Sequence, residues 1–235
     1  MCGMENGQWI QRHLSELAES TKIDGKIWRA SYTEEDGIGH RMFRRWIEEA
    51  GLEWREDVLG NIYGRLPGRR SGTILLGSHI DTVRDGGRYD GAAGVMTALA
   101  VLRDLKAAGY EPEYNLEIVG LVEEEGSRFA SSCQGSCAIC GTLREEDLLE
   151  KDSDGVRRPI ERDITRSGWR KHGGKTCWFI WSFTLNRGPC WNSRKNRLEW
   201  WRISWVSLPM TLLSLESKTM RAPRSWRCVG TRLWR

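Results

Sequence analysis

The chain has 235 residues, enough for one large domain or two small ones, and its 39% hydrophobic and 29% charged residues are the balance of a globular protein rather than a disordered or fibrous one. The formal net charge of +4 hides a division: residues 169–235 hold 14 Lys/Arg against two acids, Glu199 and Glu216, while residues 1–168 carry a net −8. No apolar run approaches the roughly 18 residues of a membrane-spanning helix, the first residues lack the regions of a secretory signal, and seven unevenly placed cysteines do not form a disulfide framework; a cytoplasmic setting with reduced thiols is expected.

Taken in order, residues 8–19 put Ile10, His13, Leu14, Leu17 and Ala18 at helical spacing, predicting an amphipathic helix. A polar connection follows through Asp24–Gly39. Residues 40–50 then align Phe43, Trp46, Ile47 and Ala50 on one stripe, and Gly51 supplies a C-terminal stop. Two short β-like runs, Leu52–Asp57 and Asn61–Leu66, precede Pro67-Gly68. Thr73–Gly77 reads as a buried strand. Residues 93–108 read as a helix carrying Val95, Ala98, Leu99, Leu102 and Leu105, and Leu116–Val122 reads as a second buried strand. Leu143–Glu150 resembles a helix start. Buried strands alternating with amphipathic helices predict an α/β fold with a largely parallel sheet. In such sheets ligands sit beyond the carboxyl ends of the strands.

Both of those strand ends carry chemistry. The first runs into Ser78-His79-Ile80-Asp81 and, after a Gly-rich loop, Asp90-Gly91; the second runs into Glu123-Glu124-Glu125-Gly126. Residues i and i+2 of a strand share a face, so His79 and Asp81 point the same way, as a metal ligand and its orienting partner would. Imidazole and carboxylates together suit Zn²⁺, Mn²⁺ or Co²⁺. Two such ions can share a bridging carboxylate and hold a water, and a neighbouring glutamate can serve as general base. The reaction class implied is metal-assisted hydrolysis.

GSHIDTV…GRYDGAAGV followed by EEGSRF resembles the M20 metallopeptidase clan, and within it the hydantoinase/carbamoylase-type amidohydrolases that act on allantoate or N-carbamoyl amino acids. The likeness covers residues 8–150, including Asn61–Gly68 and Gly141–Leu143. It implies a two-metal catalytic domain with His79 as a ligand of one ion, Asp90 as the bridging ligand and Glu125 as a ligand of the other. Glu124 would be the general base, and Asp81 the catalytic-site carboxylate that orients His79. It further implies a small ureido or amide substrate, hydrolysis of a C–N bond other than a peptide bond, and a homodimer built through a smaller lid domain.

After about Val156 the periodicity decays, and residues 156–235 are expected to form an irregular, poorly packed tail that does not supply the lid domain; residues 1–155 would be the front of a catalytic domain. The segments like YLELHIEQGPVLE and NHAGATP that the resemblance calls for are missing, and the only later histidine, His172, matches nothing in the family. Codons for Phe179–Asn192, FIWSFTLNRGPCWN, can be chosen so that a frame displaced by one base reads YLELHIEQGPVLE. The same displacement turns Ser193–Val206 and Glu216–Arg235 into family-like segments. A shift of reading frame between Val156 and Trp169 accounts for all three, and for the nine of thirteen Trp residues at or beyond Trp169. Such a chain would lack ligands of one metal and be inactive. The rival expectation is a binding protein whose basic, Trp-rich tail contacts nucleic acid. Cys133, Cys137 and Cys140 lack an evident fourth ligand and are expected to be small buried thiols rather than a zinc site.

Overall fold

The computed structural model describes residues 2–140 and 142–159, together with two later strands, 177–186 and 202–208. Helix α1 (Cys2–Ser20) buries Leu14, Leu17 and Ala18, the stripe expected from its spacing. A two-stranded hairpin, β1 (Lys22–Ile23) and β2 (Lys26–Ile27), follows at once. Its turn is made by Asp24 and Gly25, whose φ values of 50° and 77° give the left-handed pair that tight hairpins prefer.

Helix α2 (Glu34–Glu49) starts earlier than the apolar stripe suggests, because Thr33 caps it. Its hydroxyl accepts the Asp36 amide at 3.3 Å, while the Asp36 carboxylate accepts the Tyr32 amide at 2.8 Å. This is close to the reciprocal capping box, and Thr33-Glu34-Glu35-Asp36 carries its signature in the sequence.

Six strands form the main sheet: β3 (Glu53–Glu56), β4 (Ile62–Leu66), β5 (Arg70–His79), β6 (Tyr114–Leu121), β7 (Cys177–Asn186) and β8 (Arg202–Leu208), in the order β3-β4-β6-β5-β7-β8. The expected parallel arrangement holds for β6, β5 and β7 at the centre; β3, β4 and β8 run antiparallel to their neighbours. Chain connectivity explains the mixture. Only residues 67–69 separate β4 from β5, too few for a crossover, so the chain reverses there. Between the parallel strands β5 and β6 lies helix α3 (Ala92–Ala107). Strands β7 and β8 fall where no regular element was expected, and the rest of 160–235, His172 included, lies outside the described residues.

Apolar side chains are buried on both faces of the sheet. Helices α1, α2 and α3 cover one face, where Leu17, Phe43, Trp46, Ile47, Met96 and Leu102 pack with Ile62 and Ile118. The next residues along, Tyr63 and Val119, face the other way and meet Leu75, Leu121 and Ile139 of helix α4 (Gln134–Cys140). A short helix, α5 (Glu145–Leu148), falls within the predicted 143–150. Among the described residues no helix is long and apolar enough to cross a membrane.

Candidate metal centre

Register builds the site. His79, the last residue of β5, pairs with Leu121 of β6, so the segment 123–125 emerges beside the imidazole. Ile80 goes into the helix-covered core, leaving His79 and Asp81 on the opposite side. The loop is pinned from behind by Arg29, itself almost fully buried. Its Nε donates to the Ile80 carbonyl at 2.6 Å, and its backbone exchanges hydrogen bonds with Thr82, amide to hydroxyl and carbonyl to amide, both at 2.9 Å. Gly91 permits the close approach on the third side. Its φ is 61°, and a Cβ there would sit 2.5 Å from the His79 ring.

The glutamate segment is held by Asn61. Its side-chain oxygen accepts the Val122 amide at 2.9 Å, and its amide group donates to Asp57 at 2.8 Å and to the Gly135 carbonyl at 3.2 Å. Asp81 then ties the two strand ends together. Its carboxylate accepts the backbone amides of Glu124 and Glu125 at 3.3 and 3.1 Å and stands 3.4 Å from His79 Nδ1. The nearer partner of Nδ1 is the Asp81 backbone carbonyl, at 3.0 Å, so this residue orients the ring through main chain as well as side chain.

On the far side of the ring, His79 Nε2 is buried without a hydrogen-bond partner, 3.5 Å from Glu124 Oε2. One donor atom each from His79, Glu124 and Glu125 lies within 4.8 Å of the others. Asp90 stands outside that trio, but its charge acts on both glutamates, and its Oδ1 is buried with no hydrogen-bond partner.

The charges are crowded. Burial alone would depress the His79 pKa, but the hydrogen bond and charge of Asp81, with Glu124 and Glu125, lift it to about 9. Burial would raise Asp81, and the same imidazole together with the two amides brings it below its ordinary value. Burial raises Glu124, against the pull of His79, and raises Glu125 to about 7 with help from Asp90 and Glu124. Four carboxylates thus favour positive charge at one point. A buried imidazole nitrogen and a nearby buried carboxylate oxygen, both without hydrogen-bond partners, fit a divalent cation.

The pattern that defines peptidase family M28 matches residues 61–171. Allantoate amidohydrolase of Bacillus subtilis (strain 168) is 43% identical over 167 residues, covering 70% of this chain and 39% of the relative. N-carbamoyl-L-amino-acid amidohydrolase of Pseudomonas sp. (strain NS671) is 35% identical over 192 residues, 77% of this chain and 46% of the relative. Among solved structures, a hydantoinase/carbamoylase family amidase from Burkholderia ambifaria superposes with a TM-score of 0.60 at 35% identity, covering 64% of this chain and 38% of that one. The chain is a relative of the hydantoinase/carbamoylase-type amidohydrolases. It spans less than half the length of these relatives.

Of the residues that the sequence singles out in this amidohydrolase relative, His79, Glu124 and Glu125 meet, Asp81 buttresses all three, and Asp90 lies at the margin. Arg29 and Asn61 went unassigned. Nothing local marks Arg29, whose contacts with Ile80 and Thr82 span more than 50 residues, whereas Asn61 opens the segment 61–68 that the resemblance includes. Cys133 and Cys140 are half-buried free thiols held above the ordinary thiol range chiefly by burial, and among the described residues they join no metal-ligand group.

Proposed function

We propose that this chain carries the front half of a metal-dependent amidohydrolase site that hydrolyses a linear ureido or amide C–N bond. The observation behind this reading is the convergence of His79, Glu124 and Glu125 donor atoms around a buried, partnerless imidazole nitrogen. His79, Asp90 and Glu125 would hold the divalent ions, which would polarise the scissile carbonyl and acidify the attacking water. Zn²⁺, Mn²⁺ and Co²⁺ all suit this donor set. Glu124, its carboxyl raised by burial, is poised to take a proton from water and pass it to the leaving nitrogen. Asp81 keeps Nδ1 of His79 occupied, which leaves Nε2 to serve as the metal donor. The kinship supports reading the substrate as a small ureido or amide compound, the assembly as a homodimer and the setting as cytoplasmic.

We propose further that the reading frame is displaced beyond Arg158, and that the chain as written lacks donors for one ion and turns over negligibly. The partners that Arg158 makes with Glu123 and Glu150 support placing the displacement after it. Resequencing the gene between the codons for Arg158 and Trp169 tests the first point; an uninterrupted frame sinks it. Assay of the frame-restored product on allantoate and N-carbamoyl amino acids tests the second. Ammonia release that falls by at least 100-fold in Glu124→Gln is expected, and release at a normal enzymatic rate by the chain as written would contradict it.

A further inference from the structure

Glu123, which precedes the two glutamates of the site, is held in a conformation that a glutamate rarely adopts. Its φ is 56°, in the left-handed region, and it is fully buried. A non-glycine residue there is strained and persists only where its surroundings over-determine it. The surroundings here are an ion pair. Arg158 grips the Glu123 carboxylate with two parallel bonds, Nε to Oε2 and Nη2 to Oε1, both 2.8 Å, and both side chains are shut off from solvent.

Arg158 is itself fixed on every side. Nη2 also donates to Ser131 Oγ at 2.8 Å and to Glu150 at 3.1 Å, Nη1 donates to the Asp147 carbonyl, and the guanidinium lies 4.1 Å over the Phe129 ring. The backbone closes the same turn, with the Glu123 and Glu124 carbonyls accepting the Gln134 and Cys133 amides at 3.2 Å. The residues that follow are those whose amides Asp81 receives.

We infer that Arg158 is a positioning residue: its forked ion pair holds Glu123 left-handed, and thereby aims Glu124 and Glu125 at His79. The inference rests on the metal-site reading for its functional meaning, but the conformational part stands apart from it. A buried ion pair seldom adds net stability over a well-packed apolar pair. What this one adds is geometry. Removing the fork lets Glu123 relax to an ordinary φ, and the next two residues swing away from the Asp81 carboxylate.

Amide hydrogen exchange at Glu124 and Glu125 in the metal-free chain, with Ile118 and Val119 of β6 as internal reference, reads that motion directly. Arg158→Met is expected to speed exchange at the two glutamate amides at least tenfold, with Arg158→Lys intermediate. Glu123→Leu/Arg158→Met, which replaces the buried charges by apolar groups, is expected to fold well and still exchange fast, since Leu is no better tolerated at φ 56°. A purely structural pair predicts the opposite, slow exchange wherever stability is restored. Wild-type rates at Glu124 and Glu125 in the folded variants overturn the inference. If Arg158→Met fails to fold, Arg158→Lys and the double variant carry the decision. Zn²⁺ titration of the same proteins is expected to show at least tenfold weaker binding in each variant that exchanges fast. A wild-type chain that binds no Zn²⁺ would count against the metal-site reading alone, because the exchange rates decide the clamp without it.

Discussion

At His79 the two ring nitrogens have different surroundings, and the difference is the chemistry. Nδ1 has both the carbonyl and the carboxylate of Asp81, while Nε2 has no hydrogen-bond partner and faces Glu124. Orienting partners of this kind are worth 10–100-fold in metal affinity. Asp81→Asn is therefore expected to weaken Zn²⁺ binding by about that factor in a chelator competition; unchanged affinity would show that the main-chain carbonyl suffices. The crowding also sets a pH dependence in metal-stripped protein. Glu125 and His79 are both raised by the fold, to about 7 and about 9, so each contributes stability that is full below its unfolded pKa and lost as pH rises through the folded one. With chelator present, the denaturant midpoint is expected to fall between pH 5 and pH 9, and Glu125→Gln to flatten its lower part. Equal slopes in the two proteins would count against the crowding. In the folded protein a bound cation must displace these protons, so affinity should drop as pH falls below about 9 and more steeply below about 7.

The elements around the site were unevenly legible. Helices α1 and α3 and strands β5 and β6 are visible as periodic or continuous apolar runs, and their residues are the ones buried. The early start of α2 was legible too, in Thr33-Glu34-Glu35-Asp36, but is masked by a stripe that begins at Phe43. The buttresses were not. Arg29, Asn61 and Arg158 reach the site through Ile80, Val122 and Glu123, which are 51, 61 and 35 residues away in sequence, and no periodicity encodes such contacts. Gly91 shows how an element constrains the centre: at φ 61° and ψ −57° it sits in the strained γ-turn region, which an Ala side chain disfavours, and an Ala Cβ would press on the imidazole. Gly91→Ala should lower the denaturant midpoint and weaken metal binding together; loss of stability with intact binding would show that the ring adjusts. Asn61→Ala leaves the buried Val122 amide without its acceptor, a loss of about 1–3 kcal/mol, and should show the same joint effect through the glutamate segment.

For the molecule as a whole, the α/β class and the placement of the centre at the carboxyl ends of β5 and β6 follow from alternating elements, and the sequence reading carries both. The antiparallel margins come from the three-residue reversal at 67–69 and from strands β7 and β8, where alternation is confined to short runs such as Trp181–Asn186 in a stretch with no sustained period. That stretch lies where the proposed displacement of frame would act. Among the described residues, the centre draws its donors from residues 79–125. Metal analysis of the purified chain after equilibration with Zn²⁺, beside His79→Ala, addresses that centre most directly. Zn²⁺ retained by the parent chain and lost in His79→Ala is the predicted result; no retention, or equal retention in the two proteins, would contradict it.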